Sequence, residues 1–189
     1  MSAYAFPEQT QKWEAGLIIG GIQPSNADGS FAPYWGGNLC YGINEWSAMG
    51  LSVGGTDFRL STETAAGRKI SAGKAQTFPI FVDIIFRANS LHESIAPYGV
   101  LGLGGMVTRK LTNDDLSDGY HAKVSSGFAG KIGLGVDWLY SPDLIFNLEF
   151  NYVLSGAKLE IIRNGDSLAS INKDLDYWFI GLGVKHLFE

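Results

Sequence analysis

Apolar and polar residues alternate along most of this chain with a period of two, which is the repeat of a β-strand whose two faces meet different surroundings. The clearest segment runs from Leu144 to Leu154. Its apolar face is Leu144, Phe146, Leu148, Phe150, Tyr152 and Leu154, and its opposite face includes Asn147, Glu149 and Asn151. Similar rows occur near 78–87, 124–138 and 176–188, and glycine interrupts weaker ones near 11–23, 37–46, 48–60 and 95–108. The pattern predicts eight strands in one domain spanning residues 1–189.

The connections between these segments alternate between long and short. The long, polar ones cover 24–36, 61–75, 109–121 and 156–174, whereas those near 45–48, 88–94 and 140–143 are brief. Transmembrane β-barrels have this asymmetry, with short periplasmic turns and longer external loops. We therefore predict an all-β fold, an eight-stranded antiparallel up-and-down transmembrane β-barrel. Both termini would lie in the periplasm, with residues 1–10 as an N-terminal periplasmic segment.

The composition of the less apolar face indicates which side of the barrel faces inward. That face carries mainly Gly, Ala, Ser and Asn, and charged residues form only 17% of the chain, against roughly 25% in an average soluble domain. Small side chains suit the narrow lumen of an eight-stranded barrel, so the apolar row would face lipid. Aromatic residues at strand ends would form the two interfacial girdles. These are Trp13, Tyr41, Tyr98, Trp138, Tyr152, Trp178 and Phe188.

The last long connection contains Asn164-Gly165, a typical hairpin tip. A strict two-residue turn would pair Leu148 with Gly181 and oppose unlike faces. A three-residue loop instead pairs Leu148 with Ile180 and keeps the apolar faces together. We therefore expect residues 156–174 to project beyond the membrane as a two-stranded ribbon.

The C-terminal run from Asp176 to Phe188 resembles the terminal strand of bacterial outer-membrane β-barrel proteins, and the runs 97–105 and 13–21 resemble inner strands of the same group. This group includes the OmpA membrane domain, OmpX and OmpW. The resemblance implies a monomeric, non-enzymatic outer-membrane protein without a cofactor, exported through the periplasm. No segment of the chain has the pattern of a signal peptide, so we expect the signal to be absent from it. The barrel-assembly machinery would recognise Trp178, Ile180, Leu182, Val184 and Phe188.

Strand parity places a set of charged side chains in the predicted lumen. They are Glu14, Asp83, Arg87, Lys131, Asp137, Glu149 and Lys185. Buried charges need partners, and Glu149 is expected diagonally across from Lys131. The first interpretation is an ion-pair network that plugs the lumen of a structural or surface-interaction protein. The alternative is a narrow conduit for small or hydrophobic molecules, as in OmpW-like proteins.

A lipid A-modifying enzyme is the alternative from another functional class. His121 and Ser125 lie near the start of a strand, with Ser117 and Asp118 close by in sequence. Catalysis by a Ser–His pair needs hydrogen-bond contact between the two groups. Four residues along a strand separate them by about 13 Å, which argues against this role.

Basic residues near the predicted outer rim suggest a contact with lipopolysaccharide phosphates. The residues are Arg68, Lys69, Arg109 and Lys110, with Lys74 nearby, and simple solvation is the alternative. The single Cys40 is expected to be a free thiol pointing inward. The scattered His residues predict no metal site, and a net charge of −5 argues against a nucleic-acid partner.

Overall fold

A computed structural model describes residues 10–25, 31–63, 69–88, 94–112, 120–157, 159–163, 166–169 and 175–188. Most of these residues form β-strands. The strands are β1 (Trp13–Pro24), β2 (Ala32–Asn44), β3 (Ser47–Glu63), β4 (Lys69–Arg87), β5 (Ile95–Thr112), β6 (Tyr120–Val124), β7 (Gly127–Ser141), β8 (Leu144–Ser155), β9 (Leu159–Arg163), β10 (Asp166–Ala169) and β11 (Tyr177–Phe188). Within this part of the chain no helix has the length and apolarity needed to cross a bilayer.

Eight of the strands close into a barrel, as predicted. Its order is β1-β11-β8-β7-β5-β4-β3-β2, and every neighbouring pair is antiparallel. The first and last barrel strands complete the wall, since Trp13 pairs with Phe188 and Pro24 with Tyr177. Closure satisfies the edge hydrogen bonds that an open sheet would leave unpaired.

The two ends of the barrel differ. At one end, called the terminal end here, lie Trp13 and Phe188 together with the connections between β2 and β3, β4 and β5, and β7 and β8. At the other, the loop end, β6, β9 and β10 leave the wall and form a separate sheet in the order β10-β9-β6. The site described below lies between these ends, inside the barrel.

The projecting hairpin is present, but its predicted register is wrong. β9 and β10 pair antiparallel from Arg163 opposite Asp166, and the tip Asn164-Gly165 lies outside the described residues. In the barrel Leu148 pairs with Leu182, and not with Ile180. A register shift between Ser167 and Ala169 changes the pairing by one residue, which restores the match of apolar faces. The ribbon also gains a third strand, β6, which was not predicted.

The predicted long loops are shorter than expected. β3 and β4 continue to the pair Glu63 and Lys69, so most of the segment 61–75 is strand. β2 begins at Ala32, within the predicted loop 24–36. Strands that extend beyond a membrane need no apolar face, so alternation in the sequence disappears before the strands do.

The exposure of side chains confirms the assignment of the barrel faces. Large apolar residues cover the outer wall, with Leu17 and Leu134 each 69% exposed, whereas Lys185 in the lumen is 2% exposed. Of the predicted girdle residues, Trp13, Tyr41, Trp138, Trp178 and Phe188 are exposed on this wall. Tyr152 is half-buried, and its ring contacts that of Trp178. The assignment of Tyr98 was wrong. It is buried and shares the inward face of β5 with Ala96 and Val100.

Candidate functional site

Four charged side chains cross the lumen near the terminal end. Arg87 donates from Nη2 to Glu14 Oε2 at 2.8 Å, and Lys185 Nζ lies 2.8 Å from Asp137 Oδ1 and 3.3 Å from Glu14 Oε1. Arg87 Nε is 4.0 Å from Asp137 Oδ2. We call these residues the quartet. Two carboxylates alternate with two cations, so the group is electrically balanced.

The quartet joins distant parts of the wall. Glu14, Arg87, Asp137 and Lys185 come from β1, β4, β7 and β11, and β4 lies four strands from β11 in the barrel order. All four residues are buried. These ion pairs therefore lie across the lumen and connect opposite sides of the wall.

A second polar level lies further toward the loop end. Lys131 Nζ donates to Asp83 Oδ2 at 2.8 Å and to Ser52 Oγ at 3.1 Å. The Tyr98 hydroxyl donates to Glu149 Oε2 at 2.7 Å, and Asn151 donates to the other oxygen of the same carboxylate. The Tyr98 ring also lies 4.6 Å from Lys185 Nζ and thereby connects this level to the quartet.

A cavity of about 40 Å³ lies between this polar level and the apolar side chains next to it. Its polar lining includes Asn38, Ser52, Asp83, Glu149 and Asn151, and its apolar lining includes Tyr34, Phe81, Val153, Tyr177 and Phe179. Asn38, Asp83 and Asn151 each have a buried side-chain oxygen without a hydrogen-bond partner. At roughly 10–15 Å³ for one water, the space holds about three water molecules, which would satisfy such oxygens.

The loop-end half of the lumen is filled by apolar side chains. The buried members of this apolar cluster are Ile22, Ala32, Phe81, Met106, Ala129, Val153, Ala157, Leu175, Tyr177 and Phe179, and Ile18 and Tyr34 pack against them. The rings of Tyr34 and Phe179 approach to 4.7 Å. The described part of the lumen thus holds paired charges near the terminal end and packed apolar side chains toward the loop end.

One predicted contact inside the lumen is wrong. Lys131 pairs with Asp83 on β4, and in the sheet it lies opposite Val153. Glu149 lies opposite Gly135, four pairs further along the same ladder, and receives its hydrogen bonds from neutral donors. The diagonal placement of Glu149 across from Lys131 was expected from counting residues across a tight turn at 140–143. That count cannot show partners on more distant strands, such as Asp83.

Sequence analysis missed the apolar half of the lumen. Phe81, Met106 and Val153 point inward although the inner face was read as small and polar. Their inward parity was available in the sequence, since Phe81 shares a row with Asp83 and Val153 with Asn151. Cys40 is buried and free, as expected.

Several solved structures of outer-membrane proteins are similar to this one. The structure is similar to that of the outer membrane protein OprG from Pseudomonas aeruginosa, with a TM-score of 0.78 and 15% identity over 98% of this chain and 99% of that one. It is also similar to the outer membrane protein AlkL, determined in lipid bilayers, with a TM-score of 0.56 and 14% identity over 100% of this chain and 93% of that one. The N-terminal β-barrel domain of Pseudomonas aeruginosa OprF gives a TM-score of 0.53 and 14% identity over 96% of this chain and 100% of that domain.

This chain has the fold of the small outer-membrane β-barrel proteins. No family model matches the chain, and no curated protein matches it. The predicted fold class and the resemblance that supported it are confirmed. At these identities the likeness establishes the fold and leaves the role open.

The residues proposed for barrel assembly lie on the last strand of this outer-membrane barrel fold. Trp178, Ile180, Leu182 and Phe188 are exposed on the outer face of β11, and Val184 is half-buried there. The strand pairs with β1 and closes the wall. Recognition by the assembly machinery stays a prediction.

The residues predicted to face lipopolysaccharide are only partly described. Arg68 lies outside the described residues, and Lys69 and Lys110 are placed only as strand positions in β4 and β5. Arg109 is exposed on the outer face of β5, and its guanidinium carbon lies 5.9 Å from the centre of the Phe78 ring.

The residues of the enzymatic alternative lie partly outside the described residues. His121 is placed in β6 opposite Ile162, and Ser125 follows that strand, while Ser117 and Asp118 are outside the described residues. Within the described part of the chain, no group of three or more His, Cys, Asp and Glu side chains is arranged to hold a metal ion.

Proposed function

We propose that this chain is an integral outer-membrane protein with a closed lumen, which acts through its outer surface and is neither a pore nor an enzyme. The observation that carries the proposal is the double closure, with the quartet near the terminal end and the apolar cluster at the loop end. The cavity that the described residues leave between them has a volume of about 40 Å³, enough for a few water molecules. Such a barrel anchors its loop end at the cell surface.

The lipid-facing wall supports the location. Residues such as Ile19, Leu103 and Leu182 are more than 60% exposed, and so much apolar surface would promote aggregation in water. In a bilayer the same residues contact acyl chains. A monomer embedded in lipid, with its loop end available to a surface partner, fits this arrangement.

Conductance across a planar bilayer tests the closure. We expect the wild-type protein to show no steady channels at neutral pH. Arg87→Ala opens the quartet and the pair Tyr34→Ala/Phe179→Ala opens the apolar cluster, but each variant keeps one closure and should stay silent. The triple variant removes both and should conduct. Steady channels from the correctly inserted wild type would contradict the proposal.

A conduit for small hydrophobic molecules is the second candidate, because one half of the lumen is apolar. Tyr177, Phe179 and Met106 line that half, and a hydrophobic solute would pack against them more readily than water. Uptake of an alkane or a fluorescent hydrophobic probe into vesicles that contain the protein separates the candidates. Uptake that stops when Met106→Trp fills the cluster favours the conduit, and uptake equal to that of empty vesicles favours the closed barrel.

A further inference from the structure

The polar level of the lumen has one carboxylate more than it has cations. Asp83 is paired with Lys131 at 2.8 Å, whereas Glu149 forms no ion pair with any described residue. The two groups that donate to Glu149, the Tyr98 hydroxyl and the Asn151 amide, are neutral. The quartet cannot supply the missing charge, since its two cations are matched by its own two carboxylates. A charge held inside a barrel without a counterion is costly, so this level favours a cation from outside the chain.

The cavity beside Glu149 is lined by oxygen atoms that have no hydrogen-bond donor. Asp83 Oδ1, Asn151 Oδ1 and Asn38 Oδ1 are buried atoms without a partner. Asp83 and Asn151 are only 3% and 4% exposed, and all three residues line the cavity of about 40 Å³. A space surrounded by unpartnered acceptors suits a ligand that offers positive charge in several directions.

Glycines in the wall leave room for two of these oxygens inside the barrel. Gly102 is the ladder partner of Asp83, and Gly133 is that of Asn151. A Cβ added to either glycine would collide with the unpartnered oxygen of its partner. Because directly paired residues lie on the same face of a sheet, both oxygens lie on the lumen side of the wall. They are therefore held next to the cavity that both residues line.

Two ammonium groups also line the cavity, and each is held by other partners. Lys131 Nζ contacts Asp83 Oδ2 and Ser52 Oγ, and Lys185 Nζ contacts two carboxylates of the quartet. Asp83 thus offers one oxygen to Lys131 and leaves the other toward the cavity. The charge that remains to be matched is that of Glu149.

We infer that this cavity binds one monovalent cation, with Glu149 as the counter-charge and the unpartnered oxygens of Asn38, Asp83 and Asn151 as further ligands. Hard cations prefer carboxylate and amide oxygens, which replace the water of hydration. A single positive charge balances Glu149, whereas a divalent ion would leave one positive charge in excess. At roughly 10–15 Å³ for one water, the cavity accommodates a sodium ion with one or two water molecules. It is too small for a quaternary ammonium ion such as choline.

The test compares urea unfolding of the refolded, detergent-solubilised protein in sodium chloride and in choline chloride at equal concentration. If sodium binds the folded barrel alone, the equilibrium constant for unfolding falls by a factor of one plus the ratio of free sodium to Kd. This factor is about tenfold at a sodium concentration about ten times Kd. Broadening of the sodium NMR line in the same samples reports binding directly. The readout is independent of conductance, so the inference and the proposed closure of the lumen can fail separately.

Three variants locate the effect. Glu149→Gln removes the counter-charge and should abolish both the difference between the two salts and the line broadening. Glu45→Gln is the matched control, because it makes the same change at an exposed position between β2 and β3, and it should keep the full difference. Asn38→Ala removes one ligand oxygen without a change of charge, and should raise the sodium concentration at half-maximal effect by about tenfold.

Two results would overturn the inference. In one, the wild type is equally stable in the two salts, so that water alone fills the cavity or Glu149 carries a proton. In the other, the preference for sodium persists in full in Glu149→Gln, so that sodium acts elsewhere on the protein. If Glu149→Gln does not fold, Asn38→Ala decides the question, and an unchanged sodium dependence in that variant would count against the site.

Discussion

The two levels that we propose close the lumen depend on different interactions. At the terminal end, the quartet places two carboxylates and two cations in contact at 2.8 to 4.0 Å. At the loop end, residues such as Phe81, Met106 and Phe179 fill the space by packing. Charge pairing is all-or-none, because removal of one partner leaves a buried charge uncompensated. Packing is graded, because its free energy follows the volume that is lost or added.

The quartet and the apolar cluster also constrain the positions of the strands in different ways. The quartet fixes the relative positions of β1, β4, β7 and β11 by directional contacts. The apolar cluster has no such direction, and it tolerates exchange of one apolar group for another of similar volume. We therefore expect substitutions at the two ends to have distinct signatures in the free energy of unfolding.

The largest effect is expected for Lys185→Met. The substitution leaves Asp137 with only Arg87 Nε, at 4.0 Å, and removes one of two cations from Glu14. Breaking a buried pair in this way should lower the free energy of unfolding by about 3–5 kcal/mol. Urea unfolding of the protein in lipid vesicles measures it.

The double variant Lys185→Met/Asp137→Asn supplies the control for charge balance. It keeps Arg87 with Glu14 as a balanced pair, so part of the loss should be recovered. A double variant no more stable than Lys185→Met would show that balance is irrelevant. The terminal end would then behave like ordinary packing.

At the loop end, Gly54→Ala should have an intermediate effect. The ring of Tyr34 lies against Gly54, where an added Cβ would collide with it. Displacement of Tyr34 would disturb its contact with Phe179, and overpacking of this kind costs about 1–3 kcal/mol. Unfolding in urea is again the measurement.

Gly99→Ala is the matched control for this glycine. A Cβ at Gly99 would meet its nearest atoms at 3.9 Å, which is ordinary contact. We expect a change within about 0.5 kcal/mol. Equal effects at Gly54 and Gly99 would show that general strand propensity, and not the packing of Tyr34, controls the loss.

The sequence predicts which side chains point into the lumen, but it does not predict which partners they contact there. Alternation along a strand depends only on the pleat, so it placed Glu14, Asp137 and Lys185 inward without knowledge of their partners. Partners depend on which strands face each other across the lumen, and on register shifts such as that between Leu139 and Ser141. Neither is written in local periodicity, and for this reason the contact of Lys131 with Asp83 was missed.

Tyr98 is a case in which the sequence led to the wrong face of the barrel. An aromatic residue near a strand end is typical of a girdle, and composition alone favoured the outer face. The side chain instead points inward, where its hydroxyl donates to Glu149 and its ring covers Gly135. The glycine opposite provides the space for the ring, but it becomes informative only once the register of β5 and β7 is known.

The smallest effect concerns Cys40, the single cysteine of the chain and therefore a specific reporter. It is 1% exposed and lies beside Glu14 and Arg87 at the terminal end. If the quartet alone protects it, Arg87→Ala should raise the rate of modification by a small maleimide on the order of tenfold, which corresponds to about 1.4 kcal/mol in local opening. Phe179→Ala should leave the rate unchanged, because the polar level separates the apolar cluster from Cys40. A similar increase in both variants would mean that the two closures open together, and the barrel would then have one cooperative plug instead of two independent ones.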